Sequence, residues 1–130
     1  MDLLAQAAPG DGDAIVEVRA GIAFANPLPP GGREELPAVV RFRKAAHDVR
    51  VPVIGDRPGG PRRAPILRVK RGGVLKVTVF GATGAPVCTA ALDLAGLGDT
   101  REAERVVVRG APAFCGAPAA DVVFEARPGR

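Results

Sequence analysis

From Val74 the string V-L-K-V-T-V-F places Leu75, Val77 and Val79 on one face of an extended chain and Val74, Lys76, Thr78 and Phe80 on the other. A period of two is that of a half-buried strand, so the first set is the core face. In VRVPVI the same period puts Val49, Val51 and Val53 on one side, while Pro52, lacking an amide donor, argues for an edge strand or a bulge. Read this way, the chain predicts about eight strands: Ala14 to Phe24, Ala38 to Arg43, Asp48 to Ile54, Pro65 to Lys70, Gly73 to Phe80, Val87 to Asp93, Ala103 to Arg109 and Asp121 to Ala126. The connections NPLPPGG, GDRPGGPRRA, KRGG, GATGAP, AGLGDT and GAPAFCGAPAA are rich in residues that set turn dihedrals or lack a donor. The one helical fragment expected is a turn opening at Asp99 or Thr100 and running through REAE. Regular turn spacing without a helical period predicts an all-β domain, an antiparallel two-sheet Greek-key sandwich over residues 14–130, preceded by a mobile segment, 1–13.

Composition narrows the chemistry. The 130 residues are 47% apolar, with five Phe, no Trp and no Tyr, so the core is built of small and β-branched side chains. A site that stacks bases on aromatic rings is disfavoured, and with it sequence-specific nucleic-acid recognition. The chain has no Ser, and one each of His (His47), Met (Met1), Asn (Asn26) and Gln (Gln6). Serine-nucleophile triads and metal sites with several His ligands are thereby excluded, and no phosphate-binding glycine loop is present. No catalytic residue and no cofactor is expected.

The run PVIGDRPGGPRRAPILRVKRGGVLKVTVFGATG, over about residues 52–84, resembles cupredoxin-like domains, in particular the first domain of multicopper oxidases. Gly60-Pro61 matches that family's turn, Ile66 and Val69 its first strand, Gly72 its corner glycine, and Leu75, Val77 and Val79 its next strand. Gly73 stands where the family has Asp and Gly81 where it has Asn. Blue-copper sites use two His, one Cys and a weak Met. Here GAPVCTAALDL replaces the His pair, and Cys115 in FCGAPAADVVFEA has no neighbouring His and no following Met. The resemblance therefore implies a copper-free version of the fold.

Cys88 and Cys115 lie 27 positions apart and form an even pair, which suggests a disulfide across the two sheets worth on the order of 3 kcal/mol. A linear Cu(I) site made by the two thiolates is the alternative. A bridge implies an oxidising compartment, the periplasm or the cell exterior. MDLLAQAAPG is not an intact signal peptide, although Ala5-Gln6-Ala7 before Ala8 resembles a cleavage remnant. No segment approaches the roughly 18 apolar residues of a membrane-spanning helix.

Charge is the positive signal. From Arg41 to Lys76 eleven basic residues face two acidic ones, Asp48 and Asp56, so this stretch is +9 and the rest of the +4 chain is −5. Such asymmetry suggests a basic face for an acidic protein surface, a polyanion or an anionic membrane surface, with Arg50, Arg62, Arg63, Arg68, Lys70 and Arg71 as its contact residues. The plainer explanation is that outward strand positions are filled with Arg, which also guards strand edges. Three smaller groupings read as structural: Asp11-Gly12-Asp13 as a solvated loop, His47-Asp48 as a surface turn, and Asp99 with Glu102 and Glu104 as an acidic cluster without a cleft. The sequence thus points to a non-catalytic binding or assembly module with a basic face, outside the cytoplasm. The alternative is a copper-free cupredoxin-like accessory protein of periplasmic copper or redox metabolism, holding Cu(I) through its two Cys.

Overall fold

A computed structural model describes residues 14–25, 34–54, 64–97 and 104–129. They form nine strands: β1 Ile15–Phe24, β2 Glu35–Phe42, β3 Ala45–Pro52, β4 Leu67–Lys70, β5 Val74–Phe80, β6 Pro86–Asp93, β7 Glu104–Arg109, β8 Ala111–Pro112 and β9 Ala120–Pro128. One sheet has the order β4-β1-β9-β7 and the other β3-β2-β5-β6-β8. All pairings between strands are antiparallel, and the two sheets face each other as the sandwich the alternation predicts.

The core lies where the inward stripes meet. Val16, Val18, Ala20 and Ile22 of β1, with Ala120, Val122, Phe124 and Ala126 of β9, pack against Leu36, Ala38, Val40 and Phe42 of β2 and Leu75, Val77 and Val79 of β5. Pairing sets Ala20 opposite Phe124, so the largest fully buried side chain stands beside one of the smallest. That is how a core poor in aromatics reaches close packing. The register shifts between Val79 and Phe80, where β5 meets the start of β6. The irregularity breaks the strict alternation, and Val87 and Cys88 are consecutive yet both buried.

β1 and β9 run side by side for nearly their whole length, from Phe24 opposite Ala120 to Val16 opposite Pro128. The Gly129 amide adds a bond of 2.7 Å to the Ile15 carbonyl. The outer edge of β1 is shared: residues 15–18 pair with β4, whereas Ile22 forms a parallel bridge with Val53 and accepts a 2.7 Å hydrogen bond from the Ile54 amide. The two residues that follow β3 thus tie its end onto the opposite sheet.

Several elements differ from expectation. β2 begins at Glu35 and β3 at Ala45, joined by the two-residue turn Arg43-Lys44 with Arg43 in the left-handed region at φ 55°. His47-Asp48 therefore lies inside a strand and not in a turn. Ala111–Pro112, within a stretch read as loop, pairs with Cys88 and Thr89 of β6. The helical turn expected from Asp99 or Thr100 and the mobile segment 1–13 lie outside the described residues, and Glu104 belongs to β7. A 3-10 turn does occur earlier, at Leu94–Gly96, where the Asp93 carboxylate accepts from the Ala95 amide at 3.0 Å.

The expected disulfide is not formed: both cysteines are free, Cys88 buried and Cys115 exposed. β6 turns Cys88 into the core, whereas Cys115 belongs to the turn in which Ala117 donates to the Phe114 carbonyl at 3.1 Å. An even count of cysteines carries no information about which way each strand or turn directs its side chain.

Two measurements test this packing. The Gly110 amide donates to the Ala120 carbonyl at 2.9 Å, and a Cβ at position 110 would stand 2.8 Å from the Cys88 Sγ and 2.9 Å from the Ala120 oxygen. Gly110→Ala should destabilise the domain by about 1–3 kcal/mol, read as a lower urea midpoint with an unchanged slope. Adding Cys88→Ala should recover only part of the loss, because the backbone contact remains; a wild-type midpoint for the single variant would refute the close approach. Burial, and after it the Asp121 carboxylate, pushes the Cys88 thiol above its ordinary range. The folded chain therefore favours the protonated thiol. Its stabilisation is complete below the unfolded pKa, about 8.5, and is lost as pH rises through the higher folded value. The denaturation midpoint should fall on the alkaline side more steeply in the wild type than in Cys88→Ala, and parallel profiles would contradict the assignment.

Candidate binding groove

β3 is the last strand of its sheet and β4 the last of the other, and both lie on the same side of the sandwich. The bridge from Val53 to Ile22 closes this side at one end. At the other end, where β3 passes β4, a groove of about 580 Å³ opens, lined by Val40, Phe42, Arg43, Ala45, His47, Asp48, Val49 and residues 66–70. The largest lining stretch is apolar. Val40 and Phe42 are core residues of β2 seen from the side, Leu67 and Val69 pack against the same core, and Ile66 is 41% exposed beside them.

The rim is cationic. Arg43 enters from the β2–β3 turn, its guanidinium 5.2 Å from the centroid of the Phe42 ring. That cation–π contact sets a charge over the groove floor. Arg68 and Lys70 stand on β4 at the margin of the groove, one strand period apart on the outward face and alternating with the inward Leu67 and Val69. Arg68 is held by Glu17 of the adjacent β1, Nε to Oε2 4.0 Å, and Glu17 also takes a 3.0 Å bond from the Arg127 Nε. Asp48 is the one carboxylate among the groove-lining residues, and His47 stands next to it. Among the described residues no group of three or more His, Cys, Asp or Glu is placed to hold a metal ion.

The six residues singled out from sequence separate in space. Arg68 and Lys70 line the groove. Arg50 is exposed on β3, two residues beyond Asp48. Arg71 turns away, its Nη2 donating to the Leu97 carbonyl. Arg62 and Arg63 lie outside the described residues. Of the remaining basic band, Arg41 and Lys76 stand opposite each other on neighbouring strands, both exposed on the outer face of their sheet. Sequence reasoning missed Arg43, His47 and Ile66 as groove residues. The signal for them is weak, because the groove exists only where two strands distant in sequence become neighbouring edges.

No family model matches the sequence, and no curated protein matches it. Among solved structures the chain is similar to a C2 domain of a plant extended synaptotagmin 1, with a TM-score of 0.57 at 13% identity, covering 90% of this chain and 96% of that one. At this identity the likeness is one of fold. It corrects the resemblance to cupredoxins: the similar fold is a C2 sandwich. β4 and β5, which flank Gly72-Gly73, stand in opposite sheets, and such a corner arises in any sandwich where an alternating strand turns at glycine. The periplasmic or secreted location and the copper-related reading had rested on that resemblance and on the bridge. They fall with them: the similar fold is a C2 sandwich, the bridge is absent, and one thiol is buried in the core while the other is exposed in a turn. Among the described residues no helix is long and apolar enough to cross a membrane.

Proposed function

We propose that the chain is a non-catalytic binding module that meets an anionic partner, an acidic protein surface or a polyanion, along the groove between β3 and β4. The observation that carries this reading is the rim: Arg43, Arg68 and Lys70 come from separate parts of the chain and gather beside an apolar floor, with Asp48 as the opposing carboxylate. A cationic rim beside apolar surface attracts a partner of opposite charge and steers its approach. The C2-like sandwich agrees with a module that binds and does not catalyse.

The reading is tested by comparing two double charge reversals of equal size. Arg68→Glu/Lys70→Glu changes the groove, and Arg105→Glu/Arg109→Glu changes β7 at the far edge of the same sheet. On immobilised heparin at low salt the groove variant should elute at clearly lower salt than both the wild type and the β7 variant. Equal shifts for the two variants would mean that net charge alone is sensed and would remove the groove from the proposal.

A further inference from the structure

Both strands that border the groove are sheet edges, since β3 pairs with β2 alone and β4 with β1 alone. For β3 the direction of the free backbone groups follows from the register. The two-residue turn Arg43-Lys44 makes Phe42 and Ala45 the hydrogen-bonded pair that closes the hairpin. Alternation then leaves Ala46, Asp48 and Arg50 with their amides and carbonyls directed away from β2. The prolines fit this phase: Pro37 lies opposite Arg50 and Pro52 opposite Glu35, at positions that owe no amide to the hairpin. Among the described residues, none of the backbone hydrogen bonds made outside the strand ladders involves Ala46, Asp48 or Arg50.

We propose that the groove takes an extended acidic segment of a partner protein, which adds as a strand to the free edge of β3. This rests on the anionic-partner reading and specifies the form of the partner. An added strand takes its binding from main-chain bonds and its selectivity from alternate side chains. Here the residues facing inward would meet Ile66, Leu67 and Val69, and those between them would be acidic, answering Arg43, Arg68 and Lys70. A bilayer surface suits the site less well. The apolar floor, with Val40 and Phe42 nearly fully buried, is recessed between two strands, and the open edge offers a row of amides and carbonyls that only another backbone matches.

The experiment uses a capped peptide of alternating Glu and Val, a peptide of the same composition in two blocks, and vesicles containing phosphatidylserine. Each is titrated against the wild type, Ala46→Pro and Arg68→Glu/Lys70→Glu. Ala46→Pro removes one outward amide and no charge, at an edge position where proline is tolerated. The alternating peptide should bind more tightly than the block peptide, and each variant should weaken it by about tenfold or more. In the wild type the peptide should also slow hydrogen exchange at the Ala46, Asp48 and Arg50 amides, a readout that holds even if the proline variant folds poorly. Binding that is lost on charge reversal but indifferent to Ala46→Pro, with no amide protection, would overturn strand addition and leave the anionic-partner reading standing. Binding to vesicles and not to the alternating peptide would do the same in favour of a lipid surface. Binding to none of the three probes would remove both.

Discussion

The sharing of one strand edge governs the architecture. β1 has a single outer edge, and it is divided between β4, along residues 15–18, and Val53 and Ile54, which follow β3. Because β3 otherwise belongs to the opposite sheet, this crossing pins the two sheets together at one point of one side. Below that point the edges of β3 and β4 are not paired with each other, and the side of the core shows between them. The groove is what remains where the chain after β3 reaches β1 at one end while β3 and β4 stay unpaired along the rest of that side.

Much of the fold was legible because period two is a strong signal wherever one face of a strand is fully covered. Leu75, Val77 and Val79, assigned to the core from their phase, are each wholly buried, and Pro52 does lie on an edge strand. The first half of β3 was illegible for the converse reason. Ala45, Ala46, His47 and Asp48 are all exposed, since their inward positions face the groove and not the core, so no apolar alternation marks them. The turn before them contains neither glycine nor proline, and Arg43 adopts its left-handed conformation without announcing it. β8 is hidden differently: two residues in a proline- and alanine-rich stretch become a strand only because β6 offers them an edge.

The candidate site was half legible. Counting charges located the basic band between Arg41 and Lys76, but a count along the chain cannot tell which cations converge. Strand direction decides that. Arg68 and Lys70 reach the groove, Arg71 is spent on the Leu97 carbonyl, and Arg41 and Lys76 point out from another face. The cysteines teach the same lesson, since spacing suggested a bridge while the strand phase of Cys88 sent its thiol inward and left Cys115 in an exposed turn.

The pairing of β1 with β9 has a mechanical meaning. Ile15 and Gly129 are hydrogen-bonded neighbours on antiparallel strands, so the described chain enters and leaves the sandwich at one corner. A pull applied at the two ends of the described chain loads the Arg71–Ala14 and Gly129–Ile15 bonds first and then the β1–β9 ladder one rung after another, as a zipper opens. Strands pulled lengthwise past each other share the load among all their bonds at once; these do not. Tension applied at that corner would therefore open the β1–β9 ladder progressively.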